Sequence, residues 1–205
     1  MKRNIALIVL MLFALCLPAQ ANDNARKGLS YEGFMGGMML HSGWVSAGTI
    51  AVGTSAPQDI KGMPMGIGGA VKFRFGDHLR VGTEGYSSTL TYGTWDSSLS
   101  IGWGGLLVDW CMPMGRFAPY AGVTVGGGVV KNLTLNSDPA QDTLPEENLS
   151  YRHYGVGVVV PFVGVDYALS PRMSLTFKAD RMISFADAFD FPGGVRCYVG
   201  FLFSH

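Results

Sequence analysis

Segments of β-strand character in this chain are joined by connections that alternate between short and long, and no other feature narrows the fold so far. The segments run about Ser30–Leu40, Pro64–Phe75, His78–Tyr92, Ser98–Cys111, Arg116–Lys131, Tyr151–Leu169, Arg172–Ser184 and Gly194–Phe203. Gly76-Asp77 alone separates the second from the third, a tight hairpin signal. Met112-Pro113-Met114-Gly115 joins the fourth to the fifth, and Ser170-Pro171 the sixth to the seventh. The remaining connections are Gly43–Met63, Gly93–Ser97, Asn132–Ser150 and Phe185–Gly193, long except for the moderate second one. Transmembrane barrels have this asymmetry, with an even strand number, tight turns at one end and longer loops at the other. Most segments also exceed the length of about 5–6 residues typical of soluble strands. They reach the roughly 9–11 residues that a tilted membrane crossing needs. The expected fold class is all-β: an eight-stranded antiparallel up-and-down transmembrane β-barrel.

Physical chemistry explains why such a sheet must close. An open edge in hydrocarbon would leave backbone donors and acceptors unpaired. Eight strands enclose an interior just wide enough for side chains to fill, which argues against a wide pore. Composition agrees. Of 205 residues only 15% are charged, with 15 basic and 15 acidic side chains, whereas soluble domains average about 25% charged. The 29 glycines suit strands that curve tightly. This balance excludes a disordered chain, a coiled coil and a basic nucleic-acid-binding module.

The first 21 residues have the form of a secretory signal. Lys2 and Arg3 precede the apolar run Ile5–Leu17, and Ala19-Gln20-Ala21 supplies the small-x-small cleavage pattern. The run falls short of the roughly 20 residues of a spanning helix. The expected organisation is therefore a removed signal, residues 1–21, and one barrel domain, residues 22–205. Cys111 and Cys197 remain in the mature chain on non-adjacent strands, and they are expected to be unpaired and to face apolar surroundings.

Strand alternation assigns faces. Phe73 and Phe75 oppose Lys72 and Arg74; Leu79 and Val81 oppose Arg80, Glu84 and Tyr86. Leu175 and Phe177 oppose Thr176, Lys178 and Asp180, and the row from Val195 to Phe203 opposes Arg196 and Tyr198. The charged faces should point into the lumen. Lys72, Arg74, Arg80, Glu84, Lys178, Asp180 and Arg196 are thus expected to form a structural, salt-bridged filling rather than an ion path. Asp166 and Glu32 are left unassigned by the pattern. Arg181 falls on the outward face, which calls for a bulge or a position at headgroup level. Tyr31, Trp44, Trp95, Trp103, Trp110, Tyr120, Tyr151 and Tyr167 lie mostly near segment ends, as aromatic girdles do.

Several patterns point to a family. Arg116-Phe117-Ala118-Pro119-Tyr120-Ala121-Gly122, running into Val123–Gly128, resembles the glycine-rich Pro-Tyr strand of small outer-membrane barrels. Met173–Asp180 is similar to their penultimate strand, and Gly194–Phe203 to their closing strand. Together these resemble the eight-stranded OmpA/OmpX-like superfamily over nearly all of the mature chain. One departure is that Ser204 and His205 follow the terminal aromatic Phe203. The resemblance implies a bacterial outer-membrane location and contact with outer-membrane lipid, lipopolysaccharide and the barrel-assembly machinery. Because that superfamily includes adhesins, anchors and transporters, it fixes no activity.

No catalytic, metal or cofactor site is legible. His41, His78, His153 and His205 are scattered, and His41 is expected at the water boundary that ends the first strand. A lipid A-modifying hydrolase would need a histidine and serine on one face, but His41 and Ser42 are adjacent and so point oppositely. Ser150, near Glu146 and Glu147, is the only approach to His153. The carboxylates Asp138, Asp142, Glu146, Glu147, Asp187 and Asp190 in the long loops are candidates for contacting a partner or a divalent cation. The expectation is a monomeric, non-enzymatic barrel that acts structurally or through its loops, with no cofactor and no nucleic acid. The alternative is a narrow conduit or binding barrel for a small apolar solute.

Overall fold

The computed structural model describes residues 30–50, 57–93, 95–135, 149–185 and 190–205. Eight long antiparallel strands form a closed ring: β1 (Tyr31–Ile50), β3 (Met65–Phe75), β4 (Leu79–Tyr92), β5 (Ser97–Cys111), β6 (Phe117–Leu135), β7 (Leu149–Ser170), β8 (Met173–Arg181) and β10 (Gly193–Ser204). Two short strands are additions to it: β2 (Gln58–Gly62) pairs with the end of β1, and β9 (Ile183–Ser184) with β7. Each long strand pairs with its sequence neighbour in the ring, and β1 with β10 closes it. The expected eight-stranded up-and-down barrel is what the chain forms.

The register fixes the tilt. Stepping across the ladders from Gly33 through Arg74, Arg80, Asp109, Gly122, Phe162, Asp180 and Arg196 returns to β1 at Gly43. The row therefore climbs ten residues toward the loop end in one circuit. Strand number and stagger together set barrel radius and strand inclination, and this combination leaves a narrow interior. The tight turns around Gly76, Gly115 and Pro171 lie at one end, together with the start of β1 and the end of β10.

Close approach explains why some positions are glycine. A Cβ on Gly82 would stand 1.9 Å from the Val71 carbonyl oxygen, and one on Gly126 2.0 Å from that of Gly104. Both lie on the inward face, where curvature brings neighbouring backbones together.

The segment boundaries depart from the expected ones. Gly43–Met63 is not a loop throughout, because β1 continues to Ile50 and β2 returns along it through Thr49↔Asp59 and Ile50↔Gln58. Likewise β6 and β7 extend to Leu135 and from Leu149, pairing to their ends. Ladder pairing carries the chain onward where small and polar residues had suggested a loop. Ser204 pairs with Met35, and His205 exchanges backbone hydrogen bonds with Phe34, so the two residues after Phe203 lengthen the seam. The segment expected to be a signal lies outside the described residues.

Candidate functional site

The lumen is the most elaborate part of the molecule, and it is built in layers. Nearest the turns, Asp109 of β5 accepts from Lys72 Nζ at 2.9 Å and from Arg80 Nε at 2.5 Å. Arg80 Nη1 also reaches Asp166 of β7 at 2.6 Å. The two cations lie over the Tyr120 ring, 4.4 and 4.6 Å from its centroid. This layer holds two positive and two negative groups, so burial leaves no net charge uncompensated.

A second layer lies loopward. Lys178 of β8 donates to Glu84 of β4 at 2.6 Å, and Thr124 donates to the other oxygen of that carboxylate. Arg196 donates to Asp180 at 2.8 Å. Tyr86, Tyr198 and Trp103 enclose these charges, with Lys178 about 5 Å from the Tyr86 and Tyr198 ring centroids. His41 is buried here, its ring 4.8 Å from Tyr198 and edge-on to Tyr86 at 5.6 Å. This corrects its expected place at the water boundary: β1 runs nine residues past it and carries the boundary with it.

Above the charges comes an apolar layer of Leu90, Leu99, Ile101, Val130 and Val158, all buried. At its junction with Arg196 and Ser88 there is a void of about 10 Å³, room for one water at most. The mouth beyond is closed by polar contacts. Tyr92 donates to Asn132 at 2.6 Å and shares a hydrogen bond with Thr134 at 2.7 Å. Asp190 accepts from Asn132 and pairs with Arg152.

The sequence-derived cluster is thus brought together except at one position. Lys72, Arg80, Glu84, Lys178, Asp180 and Arg196 are buried and paired. Arg74 shares their face but is exposed, because β3 ends one residue later at the turn. Asp109 was missed, although Leu106, Val108 and Trp110 make an apolar outer row that turns it inward. Asp166, which the pattern left unassigned, is the second anion of the turnward layer. Trp103 and Tyr120 are not girdle residues but buried lumenal ones.

Of the loop carboxylates, Asp138, Asp142, Glu146, Glu147 and Asp187 lie outside the described residues. Asp190 is fully buried rather than presented at the rim, because the chain before β10 tucks it against Asn132. Ser150 and His153, three residues apart on β7, fall on opposite faces. Among the described residues no group of three His, Cys, Asp or Glu side chains could hold a metal ion. Both described cysteines are free; Cys197 faces outward in the apolar row, whereas Cys111 points into the barrel beside Leu107 and Tyr120.

The outer wall is the reverse of the lumen. Phe34, Met38, Leu40, Ile67, Phe73, Leu106, Val125, Val163, Phe177, Val199 and Phe201 are all exposed on it. Near the turn end an aromatic belt includes Tyr31 against Phe75, Phe34 against Phe73 and Phe117 against Tyr167. Trp44 and Tyr151 stand toward the loop end. Arg181 is exposed on this wall opposite Val195, with no bulge in its pairing to β10.

No protein-family model matches the chain, and no curated protein matches it in sequence. Solved structures do match in fold. Ail, the attachment invasion locus protein of Yersinia pestis, in complex with the heparin analogue sucrose octasulfate, superimposes with a TM-score of 0.53 at 8% identity, covering 85% of this chain and 99% of that one. Neisserial surface protein A gives 0.51 at 13% identity, over 85% and 98% of the two chains. Both are small outer-membrane barrels of the OmpA/OmpX-like type, so the fold resemblance read from the strands is the one the structure has.

Proposed function

We propose that this protein is a non-enzymatic β-barrel of a bacterial outer membrane, exported by its N-terminal segment and acting structurally or through its loop end. The carrying observation is the inversion of polarity: paired charges fill the inside, and exposed phenylalanine, leucine, valine and methionine side chains cover the outside. Soluble monomers rarely expose contiguous apolar patches beyond a few hundred Å². A wall of this kind is stable only against hydrocarbon, and a closed ladder is the only sheet that hydrocarbon tolerates.

The packed lumen speaks against a conduit, since an apolar layer separates the charges from the mouth. The opposed faces of Ser150 and His153 speak against a lipid hydrolase. What remains is a monomeric scaffold, inserted by the barrel-assembly machinery through its outward C-terminal row, whose loop end meets lipopolysaccharide or an external partner.

The test is fractionation of the expressed chain, with unboiled and boiled samples compared on a denaturing gel. Recovery with outer membranes and a boiling-dependent shift in mobility is the expected result. A soluble periplasmic protein without a shift overturns the proposal.

A further inference from the structure

Outward from β6 and β7, toward the loop end, Lys131 and His153 face each other across the ladder, and both are exposed. The Tyr151 ring stacks parallel to His153, 6.5 Å between centroids. Neither Lys131 nor His153 forms an ion pair among the described residues. Four residues turnward on the same strands are Gly127 and Gly157, paired with each other. They are the loopward end of an unbroken row of directly paired glycines, Gly69, Gly85, Gly104, Gly127 and Gly157, that crosses five strands on the outer face.

Four strand spacings make this row a trench of about 19 Å. Leu106 and Val125 wall its turnward side, and Val129 part of the loopward side. Because ladder rows climb toward the loops from β3 to β7, the trench descends from beneath Lys131 and His153 toward the middle of the wall. The Phe185 ring covers the Gly157 end, 3.1 Å from where a Gly157 Cβ would stand, so the open furrow begins at Gly127 beneath Lys131.

Barrel curvature does not demand these outward glycines as it demands the inward ones. A Cβ would meet its nearest atom at 3.4 Å on Gly85, 3.1 Å on Gly104 and 3.2 Å on Gly127. On Gly102, in the adjacent row, it would meet nothing within 4 Å. In this row only a Cβ on Gly69 would clash outright, with the Gly37 carbonyl oxygen at 2.4 Å. Most of the trench is bare toward the surroundings, although at Gly85, Gly104 and Gly127 a side chain would ask the neighbouring strand to give by no more than a few tenths of an ångström.

We propose that the outer wall of β4–β7 docks one phosphorylated lipid of the outer leaflet, with Lys131 and His153 donating to its phosphate and one acyl chain lying in the glycine trench. This rests on the membrane placement proposed above. Charge selects the headgroup, since two exposed donors at one height, neither in an ion pair among the described residues, suit a phosphate oxygen pair. Shape selects the chain, since a smooth apolar furrow starting below the donors and running inward fits an extended alkyl tail.

Full-length protein in detergent micelles holding equal amounts of lipid A and phosphatidylcholine is examined by native mass spectrometry. One retained lipid A, favoured over phosphatidylcholine by about tenfold or more, is expected. Lys131→Ala with His153→Ala should remove the preference, and Gly104→Leu should reduce retention of lipid A by about tenfold. Gly102→Leu, at the uncrowded neighbour, is a second filling variant that leaves the ladder undisturbed and should act likewise. Equal retention of both lipids, unchanged retention in these variants, or a lipid-free dimer overturns the site. A barrel that shifts on boiling yet shows no preference overturns this site alone. A soluble, non-shifting chain overturns the membrane placement as well.

Discussion

Lys178 donates to Glu84 at 2.6 Å, although β8 and β4 stand four strands apart whichever way the ring is followed. The pair therefore spans the lumen across its diameter. Only a narrow barrel permits this, and the contact in turn explains why the interior holds charge without holding bulk water. Arg80 with Asp166, from β4 to β7, makes a second chord nearer the turns.

Removing one member of such a set strands the others. Asp109→Ala would leave Lys72 and part of Arg80 buried without their carboxylate. A loss of about 3–5 kcal/mol in folding stability is expected, read as a lower urea midpoint in lipid vesicles. Asp59→Ala breaks an ion pair of similar length with Lys61, but that pair is exposed, and its midpoint should not move measurably. Equal shifts in the two variants would show that the lumenal network contributes nothing special.

Two glycine substitutions separate crowding from composition. Gly82→Ala puts a methyl group 1.9 Å from the Val71 oxygen, whereas Gly102→Ala meets nothing within 4 Å. Refolding followed by the unboiled gel shift should fail or fall sharply for the first and proceed normally for the second. Normal refolding of Gly82→Ala would mean that the β3–β4 ladder can part without loss.

Tryptophans report the two faces directly. Trp44 and Trp110 are exposed on the outer wall, while Trp103 is buried against Tyr86 and Arg196. In single-tryptophan variants, lipids brominated on their acyl chains should quench Trp44 and Trp110 strongly and leave Trp103 nearly unchanged. Strong quenching of Trp103 would reverse the assignment of faces on β5.

Conductance tests the filling. In a planar bilayer the chain should carry no steady current above leak, because Leu90, Leu99, Ile101, Val130 and Val158 lie between the ion pairs and the mouth. Discrete, sustained openings would require those side chains to move aside and would revive the conduit reading.

Much of this architecture is legible in the sequence, and the gaps have physical causes. Alternation of period two is unambiguous where apolar and charged residues interleave, as from Val71 to Phe75 and from Leu175 to Asp180. The lumenal assignment of Lys72, Lys178 and Asp180 follows from it, and all three side chains are buried. It weakens where both faces carry small residues, as from Gly43 to Ile50, so the reach of β1 and the pairing of β2 are invisible without the ladder. Asp109 stands between Val108 and Trp110, and because Leu107 and Cys111 on its own face are apolar, no alternation of polar with apolar residues marks it. His41 and Asp190 were misplaced because their burial depends on residues far along the chain: Tyr86 and Tyr198 for one, Asn132 and Arg152 for the other. Sequence spacing carries strand faces, but not which chords cross the lumen.

The seam between β1 and β10 runs through twelve register pairs from Met35↔Ser204 to Ser46↔Gly193, joining the first strand of the barrel to the last. Contacts so distant in sequence form slowly, since the loop they close spans almost the entire domain. The first strand must therefore wait, with one edge unmatched, until the last strand has been made and can reach it. Closure is then a single late event, and the time spent before it is the interval in which the chain depends on an escort.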